Sequence, residues 1–229
     1  CHHRHHVCDI GFSGFCLSIF DAPQALNVHS SSKHGMSDDH LIEHTVQQQE
    51  LLRGHFLHVV RDSVRLPNQR LATREYVVHP GAVMVIPMLE TSEGLRLVME
   101  RQFRYPVGQV MVEFPAGKLD AGEDPFVCAQ RELLEETGYA AAQWARAGVL
   151  HPVIAYSTEV IEIWFAKDLT LGERQLDQDE FLDVFTATPD ELMSACQQGL
   201  ITDGKTLTGL LWLQNVLSGQ WSLHWQTAS

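Results

Sequence analysis

Between Gly117 and Tyr139 the chain reads GKLDAGEDPFVCAQRELLEETGY, which crowds Glu132, Glu135 and Glu136 into a five-residue window. Asp124-Pro125 predicts a helix start, because Asp can cap free amides and proline at the first helical position loses no hydrogen bond. Gly138 predicts its end, where a left-handed residue costs glycine little. With Glu132 as origin, Glu135 falls at roughly −60° and Glu136 at about +40° around the helix. Phe126, Ala129, Leu133 and Thr137 gather on the other side, so one face is core and the other a carboxylate stripe, with Cys128 as a spacer on the stripe side. Like charges ~4 Å apart repel by about 4 kcal/mol at an effective dielectric near 20. A solvated face would interleave Lys or Arg, and only Arg131 is near. Hard divalent cations resolve the conflict, since Mg²⁺ prefers carboxylate oxygens and brings phosphate oxygens with it. A merely exposed acidic helix is the alternative that the stripe alone leaves open.

The elements that must position these groups are legible as patterns. A two-residue period from His55 predicts strands over residues 56–66 and 71–79 around the turn residues Pro67 and Asn68. AVMVIPML, LRLVMERQFRYP and VMVEFPAG predict three more strands, and WARAGVLHPV, TEVIEIWFAKDL and FLDVFTAT a further three after the helix. Helices are expected near residues 189–198 and 205–217. Without a regular strand–helix alternation, an α+β arrangement or mixed-sheet sandwich is preferred over a doubly wound sheet. Trp212 reads as core or interface, and the tail holding Trp221 and Trp225 carries no readable pattern. His55, His58 and His151 lack ligand spacing and read as structural or exposed.

Composition narrows the class. The chain has 229 residues with a formal charge of −13, 45% hydrophobic and 20% charged residues. That supports a packed core and disfavours a nucleic-acid binder, which needs clustered Lys and Arg. An anionic partner is compatible if divalent cations lie between. No run of eighteen apolar residues occurs, so no helical membrane span is expected. Five cysteines, three of them Cys1, Cys8 and Cys16, form no disulfide framework, which points to a reducing, cytoplasmic compartment. The opening CHHRHHVC and the stretch to Gly35 read as an extension without fold, with a natural beginning at Met36. Two other readings of that stretch are weaker. Metal binding by Cys1, His2, His3, His5, His6 and Cys8 would need a second, distant element. A signal-peptide core over residues 10–20 is bracketed by Asp9 and Asp21.

Glycine, five residues, glutamate, seven residues, then Arg-Glu-aliphatic-X-Glu-Glu-X-Gly-hydrophobic is the Nudix box. Gly117, Glu123, Arg131, Glu132, Leu133, Glu135, Glu136, Gly138 and Tyr139 fill its fixed positions. The chain therefore resembles a Nudix hydrolase. RQFRYP (residues 101–106), EFPAG (113–117) and TREYVVHPGAV resemble the ADP-ribose pyrophosphatase branch over residues 54–217. The resemblance implies a Nudix α/β/α sandwich with a mixed sheet over residues 81–218. It also implies a small antiparallel β-domain over 36–80, often exchanged across a homodimer. Residues 1–35 then form a disordered extension and 219–229 a tail.

By the same resemblance, Glu132, Glu136 and Glu180 with the carbonyl of Ala116 hold Mg²⁺, with Mn²⁺ as an alternative. Arg104 grips the pyrophosphate, Glu113 lines the site near metal and ribose, and Arg131 organises the glutamates. Tyr76 or Phe56 could stack on adenine, and each could equally be strand packing; Glu113 has a strand-end salt bridge as its bland reading. The catalytic candidates are Glu180, then Asp179, with Glu135 beside the metal. Here the chain departs from its relatives: in LDQDEFLDV, Gln178 stands where many carry a glutamate base, and glutamine cannot take a proton from water. A second departure is Val153-Ile154-Ala155 in place of a glycine-bearing turn before Ser157-Thr158-Glu159. The implied reaction is Mg²⁺-dependent hydrolysis of ADP-ribose, or a related nucleoside diphosphate sugar, to AMP and ribose 5-phosphate. A broad-range NDP-sugar diphosphatase and a non-hydrolysing ADP-ribose sensor are the alternatives.

Overall fold

The structure, a computed structural model, describes residues 37–176, 178 and 180–228. The readings made for residues 1–35 and for Asp179 lie outside the described residues. After a 3-10 turn at Asp38–His40, three antiparallel strands form one sheet in the order β1 (His44–Arg53), β2 (His58–Arg65), β3 (Leu71–Val77). Alternation does not reveal β1, because all ten of its residues are exposed. Its ladder to β2 holds it, with register shifts between Thr45 and Gln47 and between Glu50 and Leu52.

The second sheet is built from β4 (Ala82–Thr91), β5 (Gly94–Arg104), β6 (Gln109–Glu113), β7 (Ala116–Lys118), β8 (Tyr139–Leu150), β9 (Ile161–Leu171), β10 (Leu182–Ala187) and β11 (Gln226–Thr227). Its main path runs β10-β5-β4-β9-β8-β11, with β6 added to β5 and β7 to β4. The β4–β9 pair is parallel and its neighbours antiparallel, so the sheet is mixed. Helix α1 (Pro125–Thr137) lies between β7 and β8; α2 (Pro189–Gln197) and α3 (Gly204–Leu217) follow β10.

Successive strand residues face opposite sides, and β4 uses this to serve two cores. Val83 and Val85 pack with Ala129 and Leu133 of α1 and with Trp144 and Trp164. Met84 and Ile86 pack on the other face with Phe114, Leu192 of α2, and Leu210 and Leu213 of α3. Helices thus cover both faces of one mixed sheet, an α+β molecule with an α/β/α sandwich.

The ends of α1 follow the sequence closely. Asp124 accepts from the amides of Phe126 and Val127, Pro125 opens the helix, and Gly138 closes it at φ 78°. Cys128 is not a spacer on an exposed stripe. It is fully buried, its thiol 3.4 Å from the Lys118 carbonyl, because β7 and the following loop cover that side of the helix. Phe126 is only partly buried and stacks on Trp164, with centroids 4.9 Å apart.

VMVEFPAG is two strands rather than one. The chain leaves β5 after Glu113 and joins β4 at Ala116, and the Pro115 carbonyl between them accepts from the Val85 amide at 2.9 Å. β8 begins five residues before Trp144, since Ala140, Ala141 and Ala142 carry little strand signal. The tail packs back: Gln226 and Thr227 pair with Trp144 and Gln143, and the Trp221 and Trp212 rings meet edge-on at 4.4 Å. Among the described residues no helix is long and apolar enough to cross a membrane.

The start of α3 is tied to the end of β6. Thr206 is fully buried; its hydroxyl accepts from the Phe114 amide at 3.1 Å and donates to Asp203, the helix N-cap, at 2.6 Å. Replacing Thr206 with Val strands that amide, and the expected loss is about 1–3 kcal/mol of stability. Urea unfolding at an unchanged m value should show it as a lower midpoint; an unaltered midpoint would mean this tether contributes nothing.

Candidate active site

A cavity of about 780 Å³ opens where α1, β7, the end of β5 and the start of α3 converge, a size typical of small-molecule sites. Its wall brings together Arg104, Ala116, Glu132, Glu135, Glu136 and Glu180 of the sequence candidates. Glu113 reaches it through Arg104. Asp179 lies outside the described residues, and Gln178 is an exposed turn residue.

The carboxylate stripe faces inward rather than into water. Glu132 is 9% exposed and Glu136 4%. Gly117 makes this approach possible, since a Cβ there would lie 1.9 Å from the Glu132 carboxyl carbon. Arg131 manages the repulsion by donating to Glu123 at 2.8 and 2.9 Å, to Glu132 at 2.9 Å and to Glu135 at 3.0 Å. Arg131 holds the Glu123 carboxyl down at about 2. Burial outweighs Arg131 at Glu132 and pushes it up to about 7, with the charges of Glu135 and Glu180 adding to the rise.

Glu136 is driven up as well, first by burial and then by Glu100 and Glu132, although it accepts the Ala116 amide at 3.1 Å. Glu100 on β5 is 3% exposed, and its charge is the next cause after burial of the rise at Glu136. Burial raises Glu100 too. Its Oε1 is buried without a hydrogen-bond partner. Among the described residues no three His, Cys, Asp or Glu side chains already converge as a ligand set. The donors nevertheless suit a hard divalent cation: they are carboxylate oxygens, buried, unwilling to ionise together, and one has no partner.

The opposite wall is cationic. Arg104 donates from Nε and Nη2, one edge of its guanidinium, to the two oxygens of Glu113, at 2.7 and 2.9 Å, and the Lys205 ammonium bonds the same carboxylate. Burial alone would raise Glu113, but the two cations outweigh it and hold the group below the usual range. At the rim, Phe56 stands edge-on to His79 at 6.0 Å with the Lys118 ammonium 4.5 Å from its ring.

Tyr76 is not brought to this cavity. Its hydroxyl donates to Asp62 at 3.0 Å and accepts from Gln48 at 3.2 Å, and it lines a separate depression of about 290 Å³. The alternation along β3 puts it on the sheet face that carries Asp62 and Gln48. Of the two aromatic candidates, Phe56 is the one at the cavity. Glu159, from the Ser157-Thr158-Glu159 stretch read in the sequence, also lines the cavity, whereas Glu100, Asp203 and Lys205 were not singled out by sequence. Only Glu100 leaves a signal, an acid inside the apolar run LVMERQF.

The sandwich, the glutamate pair on α1 and the arginine-bound wall define a class. The NUDIX domain model matches residues 78–207, more than half of the chain, and the chain belongs to the Nudix family. It is 35% identical to the ADP-ribose pyrophosphatase of Bacillus subtilis over 176 residues, which is 76% of this chain and 94% of that protein. It is 40% identical to the methanol dehydrogenase activator of Bacillus methanolicus over 75% of this chain and 92% of that one. A solved structure titled as that of an ADP compounds hydrolase superposes with a TM-score of 0.69 at 21% identity, covering 78% of this chain and 95% of the other. That likeness bears on the fold.

Two outcomes follow from this geometry. Gly117→Ala must displace the Glu132 carboxyl, and turnover should fall by about 100-fold or more, as for an angstrom-scale misplacement; steady-state kinetics on the folded variant measures it. The second concerns pH without divalent cations. Glu132 titrates near 7 in the folded chain against about 4.3 when unfolded. Between those values the folded state binds more protons, so stability present at low pH is lost as pH rises through 7. Glu132→Gln should flatten that fall in a pH series of urea midpoints, and added Mg²⁺ should offset it.

Proposed function

We propose that the chain hydrolyses the pyrophosphate bond of ADP-ribose, or of a closely related nucleoside diphosphate sugar, yielding AMP and ribose 5-phosphate. The observation that carries the reading is one cavity with buried, cation-seeking carboxyls on α1 facing Arg104 and Lys205 across it. The named activity of the Bacillus subtilis relative supports the substrate class.

Glu132, Glu136 and Glu180, with the Ala116 carbonyl, would hold Mg²⁺. Bound there, the ion supplies charge neutralisation of the pyrophosphate and a lowered pKa for the attacking water. The chain's own groups do the rest. Arg104 turns its planar fork from Glu113 to the pyrophosphate oxygens. Glu113 faces the ribose side. Glu180, on the loop before β10, accepts the proton of the attacking water, with Asp179 next in line. Glu135 acts through Arg131, keeping the α1 carboxyls in register. Phe56 offers its ring to the adenine.

The molecule works as a homodimer in this reading, supported by the exposed apolar residues Val46, Leu51 and Leu52 on β1. Cys128 and Cys196 are free thiols, in keeping with a reducing, cytoplasmic compartment.

Incubation with ADP-ribose and Mg²⁺ should release AMP and ribose 5-phosphate, and EDTA should abolish it. Glu136→Gln should lower kcat by more than about 100-fold, beyond what loss of an outer-shell partner costs a metal site. Binding of ADP-ribose without turnover would overturn the hydrolase assignment. Faster turnover of GDP-mannose than of ADP-ribose would move the substrate, and a fully active Glu136→Gln would remove the metal role.

A further inference from the structure

Glu113 has two cations where a single buried carboxylate needs one. It is 3% exposed, and Arg104 alone already bonds both of its oxygens. The Lys205 ammonium bonds Oε2 as well.

The two cations are anchored differently. The Lys205 side chain is 14% exposed and its Nζ lies 3.0 Å from Asp203 Oδ2. Asp203 caps α3, whose first turn is tethered to β6 through Thr206 and Phe114. Lys205 is therefore fixed by two carboxylates at a fixed helix start. Arg104 is the last residue of β5, followed by a turn, and its side chain is 40% exposed. Among the described residues its guanidinium bonds no side chain except Glu113.

We propose that Lys205 is a positioning residue: it remains on Glu113 as a permanent counter-charge, which lets Arg104 leave Glu113 for the diphosphate of the substrate. The proposal rests on the reading that this cavity takes a nucleoside diphosphate sugar. Removing one partner of a buried ion pair leaves an uncompensated charge and is strongly unfavourable. With Lys205 in place, transfer of Arg104 leaves no bare carboxylate behind. The side-chain types match the division of labour. A compact ammonium with three donors serves Glu113 and Asp203 together, whereas the planar guanidinium fork suits paired phosphate oxygens.

ADP is the probe, because it carries the diphosphate without the terminal ribose. Calorimetric titration of ADP into the full chain should show Lys205→Met binding about tenfold or more weaker, since Arg104 is then the only counter-charge of Glu113. Adding Glu113→Gln to Lys205→Met should restore affinity to the wild-type level or better, because a neutral amide does not compete for Arg104. The double variant removes the charge with its cation, so it provides the measurement even if Lys205→Met fails to fold. Unchanged affinity in Lys205→Met, or a double variant still tenfold weak, would overturn the proposal; the latter would mean that Lys205 touches phosphate itself. The substrate reading fails separately, if ADP binds but ADP-ribose is not hydrolysed. Wild-type protein that does not bind ADP would overturn both.

Discussion

Two glutamates one helical turn apart, Glu132 and Glu136, have their carboxyls turned into the protein, and the neighbouring structure answers the cost of that placement. Burial opposes ionisation of both groups, and each opposes the other. Gly117 gives up a side chain so that β7 can come up against Glu132. Arg131 binds Glu123, Glu132 and Glu135 at once and spreads one positive charge over the cluster. Glu100, from the neighbouring strand, adds a third buried carboxyl instead of relieving the first two. The arrangement is unfavourable for an isolated chain and reasonable for one that meets a divalent cation.

The opposite wall of the cavity has the reverse character. Glu113 collects two cations, one held at the start of α3 and one at the end of β5. The two walls are joined through single strands. Glu100, Gln102 and Arg104 alternate onto one face of β5, so this strand carries an acid into the α1 cluster and a base to the opposite side. Strand β4 has the same double duty in apolar terms, giving Val83 and Val85 to α1 and Met84 and Ile86 to α3.

Legibility in the sequence followed periodicity. α1 was readable to the residue because Asp124, Pro125 and Gly138 act locally, through caps and φ preference. β4, β5 and β9 were readable because they are apolar runs. β1 was not, since an exposed strand needs no alternation, and the start of β8 was hidden by alanines. The helical projection placed the glutamates on one face correctly and misjudged its surroundings: angular position on a helix does not say whether β7 will cover that side, as Cys128 shows. Tyr76 and Phe56 were equivalent on sequence grounds, and only Phe56 stands at the cavity.

Short-range chemistry therefore settles a good deal without any tertiary contact: a capped helix, a glutamate pair suited to a hard cation, an arginine among them, and membership of a family defined by that spacing. What tertiary structure alone decided is which distant groups meet these residues and in what dielectric. Lys205 bonds a carboxylate 92 residues away, and Glu100 reaches Glu136 from another element. Neither contact has a period or a motif, because each arises where separate elements end against the same sheet. Burial, which drives up Glu100, Glu132 and Glu136, is a property of that packing and has no counterpart in local sequence.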